Sequence, residues 1–225
     1  MWVMRKTIPA VAAASATAFL ALGATASAQF TELGKLDTGI KPRCPAAPCS
    51  AVSRTTGFLA RNGDTTTPMA ATRSGRIVAW TVSLGRPTSK QIKWFDSKLG
   101  GASKAQVTVL QRSSDRKKKT TYRVIKQGEP VKLEPYFGRT RTFALHRSIA
   151  IKKGQVIGLT VPTWAPSLAT SLADNYSWRA SRTRAQCADY QLQTAQIKGT
   201  AEYACLYKNE RITYSVWIVP TPVKR

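Results

Sequence analysis

Beyond residue 50 the chain alternates apolar and polar positions with a period of two, the spacing that sends successive side chains to opposite faces of a strand. Between Arg76 and Leu84, Val78, Trp80, Val82 and Leu84 share one face, and Ala79, Thr81 and Ser83 share the other. Val107 and Val109 alternate with Thr108 and Leu110, and Tyr122 and Val124 with Thr121, Arg123 and Ile125. Phe143 with Leu145, then Ile157, Leu159 and Val161, and last Ile212, Tyr214, Val216 and Ile218 repeat the pattern. Turn chemistry separates these runs at Gly85-Arg86-Pro87, Gly100-Gly101, Ser113-Ser114-Asp115, Gly128-Glu129-Pro130 and Lys152-Lys153-Gly154. Many short strands with frequent turns predict an all-β fold, a two-sheet antiparallel β-sandwich of jelly-roll kind. The only helical patterns are short, at 165–174 and 189–196, and neither is long enough to organise the fold.

The first 28 residues read differently. Arg5 and Lys6 precede an apolar run from Ile8 to about Gly23, and Ala26-Ser27-Ala28 supplies a small-residue cleavage site. This is the plan of a secretory signal peptide, with Gln29 as the new N-terminus. Ser15, Thr17 and Gly23 interrupt the run, which falls short of the roughly 20 apolar residues of a membrane span. No membrane span is expected after cleavage. The expected organisation is a signal peptide (1–28), an N-terminal leader with a disulfide loop (29–50) lying along the surface or left mobile, and one β-sandwich domain (51–225).

Export changes the meaning of the four cysteines, Cys44, Cys49, Cys187 and Cys205: an even number in an oxidising compartment implies disulfides. Three pairings are open on paper. Cys44-Pro45-Ala46-Ala47-Pro48-Cys49 reads as a tight loop closed on itself, leaving Cys187 for Cys205. A zinc site is the rival, but it needs four thiolate or imidazole ligands and the single His is distant in sequence.

Charge narrows the classes of partner. The chain carries 35 Lys and Arg against 11 Asp and Glu, a formal net charge of +24, and loss of Arg5 and Lys6 with the signal lowers it to +22. Such a surface attracts polyanions over roughly 8–10 Å at physiological salt and repels its own copies. It equally serves solubility. The densest run is Arg116-Lys117-Lys118-Lys119, between two predicted strands and flanked by Arg112, Arg123 and Lys126. Cations crowded at a hairpin tip grip phosphates, carboxylates or sulfates with a steep salt dependence, and also guard strand edges against aggregation. Nucleic acid enters only through non-specific charge.

Aromatic residues supply the second candidate. Pro162-Thr163-Trp164-Ala165-Pro166 places Trp164 in a Pro-stiffened loop, from which a ring exposed beside Arg179 and Arg182 would stack on an acidic sugar. The alternative is burial, as for Tyr176 and Trp178, whose two-residue spacing suits one inward strand face.

Catalytic patterns are sparse. His146 faces away from the Phe143 and Leu145 side and has no nucleophile in a recognisable motif. A glycosidase or polysaccharide lyase needs only carboxyl groups, for which Glu129 and Glu134 are the nearest pair, read more simply as partners of Lys126 and Lys132. Asp174-Asn175 is too little for calcium. The reading is therefore a non-enzymatic secreted protein that binds an anionic cell-envelope or extracellular polymer, without metal or cofactor. Its rivals are a polysaccharide-active enzyme and a structural envelope component with a protein partner. No oligomeric state follows from the sequence.

Several segments resemble a group of uncharacterised secreted single-domain proteins of high-GC Gram-positive (actinobacterial) type. They are 44–49 running into 51–57, Gly75-Arg76-Ile77-Val78-Ala79-Trp80, Pro135-Tyr136-Phe137-Gly138, 161–166, and Ser177-Trp178-Arg179-Ala180-Ser181-Arg182. The resemblance covers most of the chain after residue 28. It implies export and a single domain, and it carries no activity, substrate or site residue.

Overall fold

The computed structural model describes residues 30–222. The expected signal peptide, 1–28, and Gln29 lie outside the described residues. The chain is all-β with antiparallel sheets. Its strands are β1 (Thr31–Leu33), β2 (Val52–Asn62), β3 (Thr65–Thr66), β4 (Gly75–Ser83), β5 (Lys104–Arg112), β6 (Thr121–Gln127), β7 (Val131–Lys132), β8 (Thr140–Ile151), β9 (Val156–Ala165) and β10 (Leu168–Ala169). They continue with β11 (Tyr176–Ala180), β12 (Thr200–Glu202), β13 (Cys205–Lys208), β14 (Arg211–Ile212) and β15 (Tyr214–Pro220). One sheet runs β1-β15-β4-β8. The larger, of nine strands, runs β12-β6-β5-β9-β2-β11-β13 with β3 on β2 and β7 on β5, and curls into half a barrel. β10 and β14 pair separately.

Both sheets contribute to one apolar cluster: Trp80, Val82, Tyr214 and Val216 from the smaller meet Leu59, Val107, Leu159 and Val161 from the larger. The alternation changes phase at register shifts in several strands, among them β2, β5 and β4. Ile77 and Trp80 are both buried while Val78 is only half-buried, because the ladders to β8 and β15 shift register there. The extra residue of a bulge reverses the face of everything before it.

The polar face of the large sheet is also covered. Thr56, Thr160 and Thr108, side by side on β2, β9 and β5, link their hydroxyls at 2.8 and 2.6 Å, and all three are buried. The Gln127 amide donates to Thr108 Oγ1 and to the Gln196 carbonyl, and the Gln196 N–H donates to Thr56 Oγ1. The segment 189–196, expected as helix, is this irregular roof; Asp189 Oδ1 accepts the N–H groups of Gln191 and Leu192 and holds a turn instead. The other expected helix, 165–174, comprises the end of β9, β10 and a loop.

The α-helix among the described residues lies elsewhere: α1 (Ser89–Lys98). Pro87 precedes its N-cap, Thr88, whose hydroxyl accepts the Gln91 N–H while the Gln91 side chain accepts the Thr88 N–H, a reciprocal capping box. Gly100 and Gly101, both with φ of +90°, turn the chain out of it. Nor is the N-terminal leader loose. Thr31–Leu33 forms an edge strand on β15, Leu33 is buried in the main core, and buried Arg211 donates to the carbonyls of Gly34 and Lys35. Core contacts therefore run across the expected boundary at residue 50.

Candidate functional site

Both expected disulfides are present, Cys44–Cys49 and Cys187–Cys205, and no described cysteine is free. The first closes a loop that Gly85 touches so closely that a Cβ there would lie 2.7 Å from the Cys44 carbonyl oxygen. Gln91 of α1 donates to the Pro45 carbonyl and ties the helix to the same loop. The second joins the segment after β11 to β13, the neighbouring strand.

The cationic run occupies the β5–β6 hairpin as expected. Arg116, Lys117, Lys118 and Lys119 are all exposed. Two side chains order the backbone of the tip: Asp115 Oδ1 accepts the Lys117 N–H at 2.8 Å, and Arg112 Nε donates to the Lys119 carbonyl at 2.9 Å. Beside it Arg112, Lys118 and Arg123 line an open depression of about 370 Å³ with Ser113, Ser114 and Thr200.

Trp164 does not join them. β9 runs through Pro162 to Ala165, the proline lying at a register shift against β2 where a missing N–H is tolerated. The ring is fully buried beneath α1, stacked on Phe95 at 4.7 Å and against Phe137 at 5.4 Å. Its indole N–H donates to Asp96 Oδ1 and to the Gly101 carbonyl. The expected stacking platform is a core residue that anchors the helix. Arg179 and Arg182 do not converge on it as ligand groups either. Arg179 is half-buried and donates to the Tyr203 carbonyl. Arg182 is 3% exposed and donates to the Ser53 carbonyl at 2.8 Å and the Tyr207 hydroxyl at 3.3 Å.

Instead, the fold assembles a groove of about 420 Å³ where α1, the Cys44–Cys49 loop and the Cys187–Cys205 loop meet. Trp94 of α1 and Tyr190 line it and are exposed. Trp178 of β11 and Tyr207 of β13, register partners, stack at 4.5 Å in its wall. Gly57 makes room for that pair: a Cβ there would lie 2.9 Å from the Trp178 ring. Arg182 and Glu210 are the charged groups of the lining. Glu210 Oε2 accepts the Trp178 indole N–H at 3.3 Å, and burial pushes its carboxyl pKa up against that hydrogen bond. The Arg182 Nε–H has no partner among the described residues.

The carboxylates considered for glycoside hydrolysis lie outside this groove. Glu129 is exposed in a depression shared with His146, and Glu134, also exposed, accepts the Ser103 N–H. Glu210 is the single acid among the groove's lining residues, where the usual hydrolytic mechanism uses two.

No family model, curated protein or solved structure matches the chain.

Proposed function

We propose that this is a secreted, non-enzymatic protein that binds an anionic cell-envelope or extracellular polymer through cations concentrated on the β5–β6 hairpin. The supporting observation is that Arg116, Lys117, Lys118 and Lys119 all stand exposed at one tip, with Arg112 and Arg123 beside the adjoining depression, on a chain of net charge +24. Each contact with a polymer anion releases bound counterions, so affinity arises largely from salt-sensitive charge attraction. Nucleic acid is held by the same non-specific term. Two disulfides fit an oxidising compartment and support the secreted location. The large apolar cluster shared by both sheets supports a sandwich of jelly-roll kind.

Purified protein mixed with isolated Gram-positive wall, an acidic polysaccharide and DNA across a salt series tests this reading. The expected outcome is strong retention on the anionic polymers at low salt, declining steeply as salt rises. Retention indifferent to salt would contradict it and indicate a protein or neutral partner.

A further inference from the structure

We propose that the groove between α1 and the two disulfide loops is a carbohydrate subsite that takes a neutral pyranose ring, stacked on Trp94 and Tyr190. This inference stands apart from the charge reading, because it uses different residues on a different face-forming set of loops.

The groove is built, not incidental. Its floor is fixed by Trp164 and Phe95, which lock α1 in place, and its wall by the stacked Trp178 and Tyr207. Both disulfide loops border it, so Cys49 and Cys187 pin backbone that lines the site. Against this rigid frame Trp94 and Tyr190 stay 43% and 50% exposed. Large rings left in water beside a preformed groove are the economical arrangement for a ligand with a flat apolar face, since two-torsion side chains lose little freedom on binding.

The polar groups select among ligands with such a face. Arg182 contributes positive charge to the lining, its amino groups already holding the Ser53 carbonyl and the Tyr207 hydroxyl, and Glu210 supplies an acceptor. A purely apolar ligand would bury the Glu210 carboxyl without replacing its water. A quaternary ammonium ion would suit the aromatic walls and Glu210, but Arg182 repels it. A polyanion would suit Arg182 and be opposed by Glu210. A sugar ring presents C–H groups to the aromatic faces and hydroxyls, each both donor and acceptor, to the Glu210 carboxyl. The volume, about 420 Å³, lies near the small end of the roughly 300–1,000 Å³ typical of ligand pockets and fits one or two rings.

The full secreted protein, applied to an array of neutral and acidic glycans at low and high salt and then titrated with the neutral glycan it retains, tests the proposal. A parallel titration uses tetramethylammonium. The expected result is binding of a neutral glycan that survives high salt and weakens on the order of tenfold in Trp94→Ala and in Tyr190→Ala. Both residues are exposed, so thermal unfolding should stay close to that of the unaltered protein and show that the loss is local. A variant with Arg116, Lys117, Lys118 and Lys119 all changed to Gln should keep this binding, which separates the subsite from the hairpin. An array with no neutral glycan bound, equal affinity in the Trp94 and Tyr190 variants, or saturable binding of tetramethylammonium in place of sugar would overturn it.

Discussion

Tyr207 and Arg182 share one hydrogen bond on which two loops depend. The Tyr207 hydroxyl accepts from Arg182 Nη1 at 3.3 Å and donates to the Cys187 carbonyl at 2.6 Å, while the other Arg182 amino group holds the Ser53 carbonyl. β13, β2 and the second disulfide loop are thereby joined through one guanidinium and one phenol.

Tyr207→Phe keeps the ring stacked on Trp178 and removes only that oxygen. It should cost about 1–2 kcal/mol, because a guanidinium donor and a carbonyl lose their partner together. Urea unfolding measures it, and a cost near zero would mean that water replaces the hydroxyl.

Trp164 and Trp94 should behave oppositely on truncation. Trp164→Ala removes a buried indole stacked on Phe95 and should destabilise by about 3–5 kcal/mol, releasing α1. Trp94→Ala should cost about 1 kcal/mol or less. Chemical denaturation of the two variants, read with far-ultraviolet circular dichroism, checks the contrast.

Arg211 is a cation with no exposure whose guanidinium donates to no carboxylate among the described residues: it donates to Asn62 Oδ1 and to the Gly34 and Lys35 carbonyls. Burial pulls its pKa down, opposed in turn by Tyr176, Asp37, Tyr214 and Glu32. Arg211→Met should cost about 3 kcal/mol and free the N-terminal strand, since those acceptors would be left buried and unpaired. Limited proteolysis should then cut between residues 30 and 43 before the rest of the chain.

Glu210 sets a pH dependence of defined sign. Its carboxyl pKa is raised by burial, with the Trp178 hydrogen bond acting in the opposite direction. Between the ordinary value of 4.5 and the raised one, the folded state holds more proton than the unfolded state. The group's contribution is therefore fully favourable below that ordinary value and is lost as pH rises through the folded pKa. Glu210→Gln, which still offers Trp178 an acceptor, should raise Tm at pH 7 and leave it unchanged well below pH 4.5. A lower Tm at pH 7 would show that the charged form is stabilising.

The features legible in the sequence are those that depend on local order. Period-two runs locate most strands, and the even cysteine count with its short Pro-shaped loop anticipates both disulfides. The phase change at Val78 was not legible, because a bulge inserts a residue without marking the pattern. α1 carried a usable signal: Thr88 and Gln91 have capping-box spacing, and Ile92, Phe95 and Leu99 recur at helical intervals. Period-two spacing places no element between the Gly85-Arg86-Pro87 turn and Gly100-Gly101. Trp164 misleads because two prolines flank a strand end rather than a loop. The aromatic groove was hidden for a different reason. Its walls come from the segments near residues 50, 94, 182–190 and 207–210, which only the sheet order and the Cys187–Cys205 bond bring together.

The hairpin carries the central claim, and its salt dependence tests that claim most directly. The dissociation constant for an acidic polysaccharide is measured against salt for the unaltered protein and for the variant with Arg116, Lys117, Lys118 and Lys119 all changed to Gln. The account predicts weaker binding and a distinctly shallower logarithmic salt slope in the variant, with Tm shifted little because these side chains are exposed. Equal slopes and equal affinities in the two proteins would contradict it.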